Sequence, residues 1–550
     1  MAKKPRNTPP TTSDVRAADR SGQQPAASPP RIDLASHKKR AQRAWSNRAF
    51  WDGLYNDAYE FAIPYRQPAS KVGKGSQRVE RVYDATAIKS AFQSAGQLHQ
   101  DLFPPGFFKL APGPIANLRL DKEGKAAMAA KLEEITSVVS AFFQSGEFDM
   151  ASAETCLDLL VGTGVLFPLE GDDDNPVRFI CIPFDEIAVD NDAYGKVNAI
   201  FWQTRLTRRA IYDAFPDGTF PADFMGQHNS APDEEMDLAQ DFIFDPKAKR
   251  WIFCAYLTSS EVPITEEDYR TQPMAVGRYH RVPGEPYGRG PILLALPTIK
   301  TLNKAVELTL KAAAIQMLGI WGYRPGGAFN PDTVRLGPGE FWPMQATGGV
   351  LGPDVTRLDV AAGRIDVSQL VMQELRMQVQ AMLGDDSLPD KGATPISASE
   401  VMARMKRISQ NYLGAYGRLV NEIVPVIVRR VIEILYRRKL IDVDIEIDAL
   451  LVKIDVLSPI ASAVKAAAHS RIIEFIQLVV AVKGSPMAAD LIVKIDDALR
   501  AIGEEQLPAS LIRTPAEQKA LEQQMAAAAA QIAAAQAGGG QQQPAGAAAA

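Results

Sequence analysis

The sequence predicts an α+β, mainly helical fold in which long helical segments bracket one β-rich region. Apolar residues recur at helical spacing over 42–64, 83–103, 126–164, 288–317, 364–383 and 398–439. Between about 165 and 285 the texture changes to short β-branched and aromatic runs, "VRFICIP", "NAIFWQTRL" and "RWIFCAYL", separated by Gly, Asp and Pro. At 550 residues the chain exceeds the size at which one core keeps growing, so more than one packed region is expected.

Local signals justify each element in turn. The segment 42–64 reads as an amphipathic helix that Pro64 ends. A second helix opens near Asp84 and stops at Pro104-Pro105-Gly106, where proline lacks the N–H that would continue the ladder. Residues 320–362 are rich in Gly and Pro with short extended runs such as "EFWPMQ", and read as a compact β-containing insert between two helices. In the helix after the insert Asp366 is the expected N-cap, Gln369 holds the capping-box position and Gly384 is the expected stop. The next helix starts at "SASE", where Ser397 and Glu400 have capping-box spacing, and Pro425 is expected to kink it. "TPAE" at 514–517 opens an Ala-rich helix whose narrow stripe of Leu521, Met525 and Ile532 is too thin to bury a helix against a globular core.

Composition narrows the function classes. Charged residues make up 23% of the chain, and no apolar run reaches the length of a bilayer span, so no membrane association is expected. Cys156, Cys181 and Cys254 lie far apart without CxxC spacing, and the N-terminus lacks the order of a signal peptide; a reducing cytoplasm is the expected place of assembly. A net charge of −5 argues against a protein that coats nucleic acid. Residues 1–50 nevertheless hold eleven Lys or Arg against three acids, and residues 1–40 read as a disordered basic arm.

Catalytic constellations are absent. Gly73-Lys74 has Pro68 where a phosphate-binding loop requires its first glycine, and Val197 follows Gly195-Lys196, so a nucleotide-hydrolysing motor is not expected. His37, His99, His228, His280 and His469 are scattered without HExxH or carboxylates at metal spacing. "EGDDDNP" at 170–176 lacks the ligand pattern of a calcium loop and reads as a solvated turn. No enzyme activity, cofactor or metal is expected.

Four separated stretches carry a resemblance. "YDATAIKSAFQSAGQLHQDLFPPGFFKL" (83–110), "ETCLDLLVGTGVLFPLEGDDDNPVRFICIPFDEIAVDNDAYGKV" (154–197), "YGRGPILLALPTIKTLN" (287–303) and "ASEVMARMKRISQNYLGAYGRLVNEIVPVIVRR" (398–430) are similar, in order, to segments of the portal proteins, or head-to-tail connectors, of short-tailed, T7-like bacteriophages. The resemblance runs from about residue 40 to about 440. It implies a portal-type fold with wing, stem, clip and crown, assembled as a ring of about twelve copies at one capsid vertex of the virion. It also implies a central channel for double-stranded DNA in packaging and ejection. The implied layout has the wing at 41–287, the stem helices at 288–319 and 363–383, the clip at 320–362, a tunnel loop at 384–397, a long kinked wing helix at 398–439 and the crown at 440–510. An Ala/Gln-rich helix and tail fill 511–550. The implied partners are a terminase packaging motor and a tail adaptor at the clip, and capsid and scaffold proteins at the wing. A self-assembling structural adaptor or scaffold without a DNA channel is the alternative.

In that layout the polar loop "GDDSLPDKGATPIS" meets passing DNA. Lys391 is the expected attractive contact, opposed by Asp385, Asp386 and Asp390 in the same loop, with Asp390 beside it. Lys300, Lys304 and Lys311, with Glu307, fall at spacings that share one helix face and are the candidate channel contacts on the stem.

Overall fold

The computed structural model describes residues 33–457, apart from 68–74, 76–78, 80, 115–120, 145–146, 319, 324–354, 359–364, 386–397 and 442–451, together with scattered helical positions in 472–481 and 520–528. The first helix, α1 (Leu34–Ala62), begins inside the stretch expected to be an arm, because Asp33 caps it by accepting from the Ala35 N–H. Its buried residues, Ala41, Ala44, Arg48, Trp51, Tyr55, Ala58 and Ala62, repeat every three to four positions and form one stripe. Then comes α2 (Thr86–Leu102), whose buried face is made of Ala87, Ser90, Ala91, Ser94 and Ala95, small enough for neighbouring helices to approach closely. It ends two residues before Pro104, and the chain turns through Gly106 at φ +68°, a left-handed conformation that glycine tolerates, into the strand β1 (Phe108–Pro112).

The helical periodicity over 126–164 belongs to two helices, α3 (Lys122–Phe143) and α4 (Glu147–Val161), and a strand is already running by Thr163. Beyond α4 lie β2 (Thr163–Glu170), β3 (Val177–Ile182), β4 (Ile187–Asn191), β5 (Val197–Thr207), β6 (Glu235–Asp245), β7 (Arg250–Leu257), β8 (Pro263–Tyr269) and β9 (Ala275–Arg278). They form a three-stranded sheet in the order β3-β2-β9 and a five-stranded antiparallel sheet in the order β4-β5-β6-β7-β8. Two short helices, Arg208–Ala214 and Ala222–His228, sit in the β5 to β6 connection.

A helical hairpin follows, made of α5 (Pro291–Leu318) and α6 (Ile365–Leu383). Between them, Ile320–Tyr323 pairs antiparallel with Val355–Leu358, so the insert starts from a two-stranded base. Asp366, expected as the N-cap of α6, lies within its first turn. The long α7 (Ala398–Arg437) carries Pro425 inside it. Its buried Leu419, Ile423, Val424, Ile427, Val428, Val431, Ile434 and Leu435 pack on β9 and β2, where burial contributes roughly 1.5–3 kcal/mol per side chain. Residues Val452–Val456, within the range assigned to a crown, return to pair with Phe108–Pro112 in the body of the protein. The Ser397 and "TPAE" capping signals lie outside the described residues; described positions in 520–528 are helical, with Leu521 and Met525 exposed and Ile532 outside them.

Candidate functional site

The hairpin of α5 and α6 leaves the body through a junction with no room for side chains. A Cβ on Gly162 would collide with the Gly288 carbonyl, and one on Gly288 with the Gly162 carbonyl. Tyr55 locks this crossing: its hydroxyl donates to Gly288 O at 2.6 Å and lies 3.0 Å from Thr163 Oγ1, which accepts from the Gly288 N–H at 2.9 Å. The Gly290 N–H then donates to Val161 O, and α5 starts one residue later. Tyr55, Gly162 and Gly288 therefore aim the hairpin. Their signal in the sequence is the pair of glycines in "YGRG" and the lone "VGTG", which say that backbone is crowded without saying against what.

Two polar clamps hold the hairpin lower down. Asn303 Oδ1 accepts from the Tyr83 and Asp84 N–H groups at 2.7 and 3.3 Å, and its amide donates to Arg81 O at 2.8 Å. Arg376 on α6 donates twice to Asp84 Oδ2, at 2.9 and 2.7 Å. Burial pushes the Asp84 carboxyl up, but hydrogen bonds from Thr86 and Arg376 outweigh it and hold the group below the usual carboxylate range. Between the helices Leu302, Met372, Val379 and Leu383 are buried.

The loop expected to face DNA has an ordered root. Gly384, at φ +74°, donates to Ala381 O, and the Asp385 N–H donates to Gln380 O, the bonding pattern of a Schellman stop, as the glycine in the sequence leads one to expect. Ser90 and Ser94 on α2 fix this root from outside, donating to Asp385 Oδ2 and to Leu383 O at 2.7 Å each. Asp385 is thereby buried and bonded, not an open carboxylate of the loop. Lys391 and Asp390 lie outside the described residues.

The three stem lysines are brought to one helix but not to one free face. Lys300 Nζ is 2.5 Å from Asp57 Oδ2 on α1, and it also stands 5.5 Å from the centre of the Phe61 ring. Lys304 and Lys311 converge on one carboxylate, Glu307, at 2.9 and 2.5 Å. Hydrogen bonds from Lys311, then Lys304, hold the Glu307 carboxyl below its ordinary range, and the Glu307 bond raises Lys311. Spacing alone placed the four residues together; it could not say that each lysine would be spent on an acid. Around them Leu294, Leu308 and Leu310 on α5, and Leu370, Val371 and Met377 on α6, are exposed in the single chain.

Among the described residues no group of His, Cys, Asp and Glu is arranged to hold a metal ion, and no helix is long and apolar enough to cross a membrane. The chain matches no curated protein. A family model described as bacteriophage head to tail connecting protein matches residues 34–506, which covers the body, the hairpin and α7. By that match the chain belongs to the bacteriophage head to tail connecting proteins, a family of structural components of the phage head-tail assembly.

Proposed function

We propose that the chain is the portal subunit of a short-tailed, T7-like phage. About twelve copies close into a ring at one capsid vertex, conduct double-stranded DNA during packaging and ejection, and join head to tail. The hairpin is the stem, residues 320–362 the clip that meets the packaging motor and later the tail, the region 41–287 the wing, and 440–510 the crown. Membership in the connector family supports this reading.

The single observation that carries it furthest is the pair of hairpin helices, with leucines exposed on the first and leucine, valine and methionine exposed on the second. Large apolar side chains exposed together on one element commonly mark a surface that association covers. In a closed ring each hairpin is flanked by two copies of itself, which covers both sides at once. Pairing of Lys300, Lys304 and Lys311 with Asp57 and Glu307 leaves the stem a weak attractor of phosphate, and this moves the expected DNA contact to Lys391 in the loop. At −5 per chain, about twelve copies sum to about −60, a field that lets the duplex slide.

Negative-stain imaging of the purified protein tests the ring: the expected particle is closed, with a pore wide enough for a duplex, whereas a ring or fibre without such a pore points to an adaptor or scaffold that never contacts DNA. Lys391→Glu tests the loop. It should leave assembly unchanged in sedimentation and lower the amount of nuclease-protected DNA, more at low ionic strength than at high. Full-length packaging by Lys391→Glu rings would remove Lys391 from the DNA contacts.

A further inference from the structure

A cavity of about 570 Å³ opens where three helix ends meet, away from the hairpin. Its wall is aromatic: Phe103 closes α2, Phe107 follows the Pro104-Pro105-Gly106 turn, Phe143 ends α3, and Phe148 lies in the first turn of α4. Phe148 is the hub, stacked on Phe107 at 5.7 Å and edge-on to Phe143 and Phe103 at 4.9 and 5.2 Å, so the wall is built before any guest arrives. Its rim carries Asp149 and His99. The carbonyl ends of α2 and α3 both reach the cavity, and Asp149, in the first turn of α4, is the one carboxylate among its lining residues, since Glu147 lies outside the lining and is paired with Arg178 at 3.4 Å. No Lys or Arg lines the cavity, so its charge is negative. His99, bonded to Ser152 Oγ at 2.8 Å and made harder to protonate by burial, adds no opposing charge near neutral pH.

We propose that this cavity binds the start of the same chain, "KKPRNTPP" at residues 3–10, with Pro9-Pro10 against the phenylalanine wall and Lys3, Lys4 and Arg6 at the Asp149 rim. Aromatic-lined grooves take proline-rich segments because the rings present flat apolar faces and the proline backbone is already restricted. The charges are opposite in sign: three cations face the Asp149 carboxylate and the carbonyl ends of two helices.

Chain length fits as well. The described chain starts at the outer end of α1, whose far end is tied to α4 by the bond from Tyr59 to Asp158 at 2.9 Å. Helices of 29 and 15 residues put that start within about 65 Å of the first turn of α4. Residues 11–32, extended at about 3.1 Å each, span roughly 68 Å. The inference stands apart from the portal reading and does not need a DNA channel.

The test uses the full chain with a photo-crosslinking amino acid at Gln144, which lines the cavity. Irradiation of a mixture of isotopically light and heavy chains, followed by mass spectrometry, should join position 144 to residues 3–10 of the same chain. Reversing the arm with Lys3→Glu, Lys4→Glu and Arg6→Glu should cut the yield about tenfold at low salt, since it turns attraction into repulsion. Pro9→Ala with Pro10→Ala should cut it as well, and neither set changes a residue that lines the cavity. Cross-links to other segments, cross-links between chains, or a yield that survives both sets of changes would overturn the proposal.

Discussion

The body and the hairpin of this protein treat charge in opposite ways. In the body, Asp158 is buried and fully engaged: Arg66 donates to both of its oxygens at 2.9 Å, and Tyr59 adds its hydroxyl. Glu433 on α7 likewise accepts from the backbone of Arg270 and Thr271 and from Arg430, which ties the long helix to the β8 to β9 turn. Apart from the Arg430–Glu433 pair, these are long-range bonds in a low-dielectric interior. On the outer part of the hairpin Lys304 and Lys311 pair with Glu307 at the surface within about one helix turn, where such pairs contribute little, and several large apolar side chains are left exposed. The buried charges of the body find their partners across long stretches of the chain, whereas the Glu307 pairs of the hairpin are local and solvated.

Removing one partner of a buried pair is the strongest way to break that contrast. Arg66→Leu leaves the Asp158 carboxylate inside with Tyr59 and Cys181 as its remaining partners, at an expected cost of about 3–5 kcal/mol. A denaturant titration followed by far-ultraviolet circular dichroism measures it. A loss under about 1 kcal/mol would mean that the body tolerates charge as loosely as the hairpin does.

A second buried carboxylate sharpens the comparison, because it is not engaged in the same way. Asp241 on β6 receives one hydrogen bond, from Tyr256 at 2.9 Å, and its other oxygen has no partner among the described residues. Burial pushes its carboxyl up to about 7, against the smaller opposing effect of the Tyr256 bond. The folded state therefore keeps a proton that the unfolded chain releases near pH 4, so stability falls as pH rises from about 4 to about 7 and is flat above. The slope expected from this group is at most about 1.4 kcal/mol per pH unit. Asp241→Asn should remove it, which unfolding midpoints at pH 5 and pH 7 would show as a smaller difference than in the parent.

Much of this was readable in the sequence because it depends on local chemistry. The Pro104-Pro105-Gly106 stop, the Gly384 stop and the switch to strands after α4 each follow from the backbone limits or side-chain pattern of a few adjacent residues. The start of α1 was misplaced because basic residues dominate 38–43, although Asp33 already signalled a cap. Long-range facts were out of reach. Nothing near Lys300 announces Asp57, 243 positions away, and nothing near Asp385 announces Ser90. The strand at Val452–Val456 has no local hint of its partner at Phe108–Pro112 either.

The smallest expected effect tests whether the stem lysines matter at all. Glu307 shares one carboxylate between two cations, so Glu307→Gln gives a net gain of one positive charge per chain while keeping the shape of the side chain. The fold should be indifferent, since both pairs are exposed and within one helix. If this face lines a channel, the assembled ring should hold double-stranded DNA more tightly at low ionic strength, with a steeper dependence on salt, and the gain should vanish as salt screens the added charge. Filter retention of duplex by parent and variant rings across a salt series reads this directly. Identical curves would show that the lysine face turns away from DNA and that Glu307 serves only to keep Lys304 and Lys311 from repelling each other along the helix.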